Sequence, residues 1–324
     1  MKKFYLNAIA IVFMLSFLGV NTTFAEEPIT ETEDVFFEEL VTPVSLSLTN
    51  KNELRDLGFT EEELTTMTND EFGKYKELDG ELTQKTNHFY EVTTDLYERT
   101  TVLEITEKEA LDRVGPLVNT TPTTVIPPSL GGITVVKPPI STMSIQPTTS
   151  TTSTSSTSST VKTSWFKMTT TSSKLSNGNV LLKNSFVWLK SPNAQFTDVV
   201  GITHSASAVK VPGTEGFSYK YTDGKGVHTL GSKSTSRNSY GIAKKFNLKA
   251  IGTNIPPYNH NGYISVQVKK GNKNDIRANA YGHYTHLTAG FTGTASIGLT
   301  PGSMSVGWGA KESRMPNTMI LFNY

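Results

Sequence analysis

Residues 285–310 read "THLTAGFTGTASIGLTPGSMSVGWGA" and lie in a charge-free window running from Ala278 to Ala310, 33 residues in all. The stretch is not a continuous apolar run. Ala289, Phe291, Gly293, Ala295, Ile297 and Leu299 alternate with Thr288, Gly290, Thr292, Thr294, Ser296 and Gly298. Pro301-Gly302 offers a turn, after which Met304, Val306, Trp308 and Ala310 share one face. A period of two is the signature of a strand, so the stretch predicts a β-hairpin. Two environments accept such a hairpin. In an antiparallel sandwich one face packs in the core and the Ser/Thr/Gly face is solvated. In a bilayer, arms of roughly ten residues suit a tilted transmembrane strand. Hairpin 289–310 would then turn Phe291, Ile297, Leu299, Met304 and Val306 to lipid and set Trp308 at the interface. A single hairpin closes no barrel, so that reading also requires oligomerisation.

The flanking sequence has the same β texture from Trp165 onward. "NVLLKNSFVWLK" ends at Ser191-Pro192, and "FTDVVGITHSASAVKV" stops at Pro212-Gly213. "GFSYKYTDGKGVHTL" carries an Asp223-Gly224 turn signal, and "YGIAKKFNLKAI" runs to Pro256-Pro257. Short strands punctuated by Gly, Pro and Asn predict an all-β antiparallel sandwich over 165–324. About 160 residues suffice for one sizeable core.

Upstream, residues 26–113 predict a small acidic module, mainly helical with some strand. Leu54 and Leu57 have helical spacing and Gly58 follows at a C′ position. Thr60 with Glu63, and Thr68 with Glu71, are capping boxes. These short helices have little core of their own and are expected to pack on "HFYEVTTDLYERTTVLEIT", which reads as one or two strands. "TEKEALDR" from Thr106 is a further capped helix. Residues 114–164 are rich in Pro, Thr and Ser, with thirteen consecutive Ser or Thr from Thr148 to Thr160. Such a run buries too little apolar surface to offset its ordering entropy and predicts a disordered linker.

Residues 1–25 predict a signal peptide: Lys2 and Lys3, then "AIAIVFMLSFLGV", then small residues to Ala25. The chain has no cysteine, which excludes a disulfide framework, a thiol nucleophile and a lipid-modified N-terminal Cys. Together these predict secretion from a Gram-positive cell, with the product released or loosely associated with the wall.

The net charge of +1 conceals an asymmetry. Residues 26–113 hold 24 acidic and 8 basic residues, whereas residues 161–324 hold 5 acidic and 19 basic. The basic half predicts attraction to an anionic surface, teichoic acid or phospholipid. Lys244, Lys245, Lys269, Lys270 and Lys273, near predicted strand ends and turns, are the candidate anion-binding residues. The acidic module is expected to shield this basic domain within the chain. No motif for specific nucleic-acid recognition is present.

Chemistry is thin. No G-x-S-x-G, H-E-x-x-H or P-loop occurs. His283 and His286 are three apart, which on a strand places them on opposite faces. A zinc site shared among His204, His228 and one other residue stays open. Asp198, inside an apolar strand, is either a buried functional acid or a hydrogen-bonded structural one. No cofactor and no catalytic residue is assigned, and a hydrolase with an unrecognised site remains the further alternative.

"SFVWLKSP", "FTDVVGITHS", "GIAKKFNL" and "NAYGHYTH" resemble the C-terminal domain of uncharacterised secreted proteins of bacilli. "LRDLGFTEEELTTMTNDE" resembles a short helical segment of exported bacillar proteins. The resemblance implies Gram-positive secretion and carries no activity.

Overall fold

The computed structural model describes residues 29–95, 99–114, 162–192, 196–249, 256–287, 296–307 and 312–324. The expected signal peptide lies outside them, as does the expected linker apart from Val114 and residues 162–164. Strands β1 (Thr30–Glu33) and β2 (Glu38–Val41) come first. Three short helices follow, α1 (Leu48–Asp56), α2 (Glu61–Thr66) and α3 (Asn69–Tyr75). Next are β3 (Gly80–Thr94), β4 (Thr100–Ile105) and α4 (Glu107–Val114). Then come β5 (Lys162–Leu175), β6 (Val180–Lys190), β7 (Thr197–His204), β8 (Ala208–Lys210), β9 (Gly216–Asp223) and β10 (Gly226–Leu230). They are followed by β11 (Ser234–Asn238), β12 (Gly241–Asn247), β13 (Tyr258–Lys270) and β14 (Arg277–Leu287). The last are β15 (Ile297–Thr300), β16 (Ser303–Val306), β17 (Glu312–Arg314) and β18 (Thr318–Asn323).

Sixteen of these strands form two large antiparallel sheets packed in a sandwich-like arrangement, and β15 and β16 form a separate two-stranded sheet. A seven-stranded sheet runs β1-β11-β12-β7-β14-β17, with β18 also on β14. A nine-stranded sheet runs β2-β10-β9-β13-β6-β5-β3-β4, with β8 also on β13. Between them lies one apolar core. Phe166, Phe186, Trp188, Tyr219 and Ile264 come from the larger sheet; Val200, Ile202, Phe246, Tyr284 and Phe322 come from the smaller. The alternation that predicts strands is visible in β18, where Thr318, Ile320 and Phe322 are buried and Met319, Leu321 and Asn323 are exposed.

β6 is buried on both faces along almost its whole length. Its second face is covered by α1 to α3, whose Leu54, Leu57, Phe59, Leu64, Met67 and Tyr75 close over Leu175, Leu181 and Tyr263. The helices thus seat on the outer face of the nine-stranded sheet, on β5, β6 and β13, and α1 also packs against β3, the strand that carries part of the segment expected from sequence. Both capping boxes form, with Thr60 and Glu63, and Thr68 and Glu71, exchanging bonds as spaced.

Composition suggested boundaries at 113 and 165, and the ladders cross both. β3 pairs with β5 from Gly80↔Leu175 to Thr94↔Lys162. β1 pairs with β11 and β2 with β10. The strands of 29–113 therefore belong to the same two sheets as the strands of 162–324. The composition shift reports the charge each half carries, which is a property of side chains and leaves backbone pairing free to cross it.

Candidate anion-binding surface

The five candidate lysines fall into two groups on different sheets. Lys269 and Lys270 end β13, and Lys273 sits in the turn before β14; all three are exposed. Asn272 and Asp275 build that turn: the Asn272 amide donates to Asp275 Oδ2 (2.7 Å) and the Asp275 amide to the Asn272 carbonyl (3.0 Å). The one carboxylate within the turn is thus engaged by backbone, while Asn272 Oδ1 accepts from the Asn274 amide (3.2 Å) in an Asx turn. Among the described residues none of the three lysines is ion-paired to a carboxylate. Lys270 Nζ lies 5.6 Å from the centroid of the Tyr324 ring. Arg277 and Ile276 complete an exposed, cationic tip.

Lys244 and Lys245 lie on β12 and are largely covered. Lys244 Nζ is 2.9 Å from Asp34 Oδ2, which also accepts from Ser232 Oγ (2.6 Å) and Thr235 Oγ1 (2.7 Å). Burial would raise the Asp34 pKa, but Lys244 and the two hydroxyls outweigh it and hold the carboxyl below its ordinary value. Lys245 pairs with Glu31, which also accepts from Ser234 Oγ (3.0 Å). These two lysines are therefore not open to an external polyanion as the chain stands. The reason is the β1–β11 ladder, a pairing across some two hundred residues that local sequence does not announce.

The pattern extends. Glu38 takes Lys249 at 2.8 Å and the Tyr221 hydroxyl at 2.6 Å. Glu62 pairs with Lys167 at 3.2 Å, Glu63 with Lys183, and Glu71 with Lys220. Each pair joins an acid of the N-terminal part to a lysine of the C-terminal part. Sequence reading did not single out Lys249, Tyr221, Ser232 or Thr235; the opposite charges of the two halves are the signal that pointed toward them.

The charge-free window is described over 278–287, which lies in β14, and over 296–307. β15 and β16 form a hairpin closed at Pro301-Gly302, with Gly302 at φ +77°. Ile297, Leu299, Met304 and Val306 are buried against Val199 and Ala243, on the outer face of the seven-stranded sheet. Asn238 Nδ2 fastens the hairpin through the Leu299 carbonyl (2.8 Å). The residues that would face lipid in a membrane hairpin thus face the chain's own sheet, which is the cheapest cover for an apolar stripe. Phe291 and Trp308 lie outside the described residues.

The buried polar residues make a hydrogen-bonded frame. Trp188 Nε1 donates to the Tyr284 hydroxyl (3.1 Å), Tyr284 donates to Asp198, and His286 Nδ1 lies 2.8 Å from the same carboxylate. All four are almost wholly inaccessible, so Asp198 fits the structural alternative and has no room for a substrate. His283 lies 2.8 Å from Thr203 Oγ1 and from Asn317 Oδ1. His204 bonds to the Ser205 carbonyl, and His228 to Asp223. Among the described residues no group of three His, Asp or Glu is placed to hold a metal ion.

No protein-family model matches the sequence, and no curated protein matches it. Among solved structures, the collagen binding domain of Erysipelothrix rhusiopathiae surface protein RspB is similar at 6% identity and a TM-score of 0.24. That likeness covers 50% of this chain and 66% of that one, just under two thirds of the neighbour's length.

Proposed function

We propose that the protein is an exported, non-catalytic binder of an anionic extracellular surface, teichoic acid or phospholipid, and that the β13–β14 tip makes the contact. The observation that carries this reading is the exposure of Lys269, Lys270 and Lys273 in one turn without carboxylate partners among the described residues. The other lysines of the C-terminal half with acidic partners have spent their charge inside the chain. Exposed like charges clustered on one tip attract a polyanion over about 10 Å at ordinary ionic strength, and the attraction weakens as salt is added. Ile276 and Tyr324 beside the lysines add apolar and aromatic surface suited to a headgroup layer.

The test is co-sedimentation of the full chain with phosphatidylglycerol vesicles and, separately, with teichoic acid-bearing cell walls. Salt-sensitive binding to one or both is expected, lost in K269E/K270E/K273E. Equal binding by that variant would remove the tip from the account, and no binding at low salt would remove the function.

A further inference from the structure

Residues 30–41 form a strap across one open end of the sandwich. Its first part, β1, adds to the edge of the seven-stranded sheet with Thr30↔Arg237, Glu31↔Ser236, Thr32↔Thr235 and Glu33↔Ser234. Its second part, β2, adds to the edge of the nine-stranded sheet with Glu38↔Leu230 through Val41↔Val227. Between them the Asp34 amide donates to the Lys233 carbonyl (2.8 Å), and the Gly231 amide to the Phe37 carbonyl (2.9 Å). A Cβ at Gly231 would come within 2.8 Å of the Phe37 ring and 3.0 Å of the Val35 carbonyl, so glycine here lets the strap approach closely. Asp34, Val35 and Phe37 of the strap line one side of a half-open pocket of about 420 Å³, with Phe217, Leu230 and Ile242 on the other.

The strap is held by charge and backbone bonds far more than by apolar burial. All four residues of β1 are exposed. Val35, Phe36 and Leu40 are 86%, 50% and 55% exposed. What grips it is a row of three sockets, each pairing a lysine with hydroxyl donors. Lys245 and Ser234 take Glu31; Lys244, Ser232 and Thr235 take Asp34; Lys249 and Tyr221 take Glu38. Ion pairs that keep part of their surface in solvent hold weakly, so a strap secured this way is replaceable.

We propose that the trough between the edges of β10 and β11 is a binding site for an extended acidic strand. Residues 30–41 occupy it in cis, and the same segment of a second copy occupies it in trans. The edges of β11 and β10, which β1 and β2 pair in cis, supply the main-chain bonds, as in β-strand addition, and the three sockets read carboxylates at the spacing of Glu31, Asp34 and Glu38. The segment that fits this spacing on the page is the chain's own, which makes a second copy the partner. Thr42-Pro43 joins the strap to the next anchor, where the Val44 amide bonds the Met67 carbonyl. A short proline-bearing connection of this kind is where strand exchange between identical chains hinges. The site shares no residue with the β13–β14 tip, so it stands or falls apart from the anionic-surface function.

The test is a charge swap in the full chain. E31K/D34K/E38K carries a basic strap over a basic site, and K244E/K245E/K249E an acidic strap over an acidic site. Each repels its own strap and that of its twin, whereas each strap matches the other chain's site. Sedimentation velocity is expected to show a 1:1 complex in the mixture, at least tenfold tighter than either chain's self-association, and dispersed by salt. The milder pair D34K and K244E, whose side chains lie outside the hydrophobic clusters, repeats the test should either triple variant fail to fold. Mixtures of folded variants that stay monomeric overturn the proposal.

Discussion

Glu63 and Lys183 meet in a fully buried ion pair beneath α2, and the same carboxylate oxygen closes the helix's capping box by accepting from the Thr60 amide at 2.8 Å. The Lys183 ammonium also reaches Ser185 Oγ (2.5 Å) and lies 4.5 Å and 4.7 Å from the centroids of the Phe59 and Tyr263 rings. Burial lowers the Lys183 pKa, and Glu63 opposes that shift. Removing one partner leaves the other buried and unpaired. Lys183→Met is therefore expected to cost about 3–5 kcal/mol in urea unfolding, while Glu63→Gln with Lys183→Met recovers most of it. Additive losses in the double variant would show that the two side chains act separately.

Gly58 ties α1 to the sheet. It stands at the C′ position with φ +83°, where any Cβ is strained. A Cβ there would also run into the Thr171 hydroxyl of β5. Gly58→Ala is expected to destabilise by about 2 kcal/mol, combining left-handed strain with the collision. Thr171→Ala added to it removes the hydroxyl and methyl approaches but keeps the Thr171 Cβ at 2.9 Å, so thermal melts should show partial recovery. Full recovery would assign the whole effect to crowding.

These two positions also show what sequence exposes and what it hides. Gly58, the Thr60–Glu63 box and the Pro301-Gly302 turn rest on residues within a few positions of one another, and local spacing reveals them. Where the Glu63 carboxylate is satisfied depends on Lys183, brought near by the packing of helices on the sheet. Lys244-Lys245 and Lys269-Lys270 are the same dipeptide with different surroundings. The first lies under the strap and the second on an open tip, because β1 brings carboxylates to β11 and β12, whereas β8, which pairs with the end of β13, carries none. The alternation of 297–306 fixed a hairpin but left its apolar face two destinations. Choosing between them required the outer face of β7 and β12, where Val199 and Ala243 wait for a cover.

His260 and His283 set the response to mild acid. Burial lowers each pKa from 6.5 to about 4. Between those values the unfolded chain binds protons that the folded chain refuses, so stability is complete above pH 6.5 and falls as pH drops toward 4. Each histidine is expected to remove about 2 kcal/mol between pH 7 and pH 5. The carboxyls of Glu62 and Glu71, held below 4.5 by Lys167 and Lys220 against the effect of burial, add a second loss only below that value. Urea unfolding across this range checks it. His283→Gln should reduce the slope between pH 6.5 and pH 5 without abolishing it, because His260 and His204, whose pKa burial also lowers, remain; an unchanged slope would place the proton uptake elsewhere.

Ile297 decides where the charge-free hairpin belongs. Its side chain is 3% exposed and packs with Val199, Ala243 and Val306. The approach is close enough that a Cβ at Gly201 would sit 2.6 Å from Met304 Sδ. Ile297→Ala is expected to cost about 2–4 kcal/mol, the range for emptying a packed site. Ile297→Asp should cost at least as much, because it buries a charge without a partner. Gly201→Val should destabilise too, by lifting the hairpin from the sheet. A hairpin held ready for lipid behaves differently: the polar change would leave the soluble fold's stability intact and abolish only leakage of dye from anionic vesicles. Loss of stability by all three variants, with no leakage by the parent chain, fixes the stretch as an outer layer of the sandwich. Leakage by the parent, abolished in a stably folded Ile297→Asp, would instead mean that the hairpin leaves the sheet to enter the membrane.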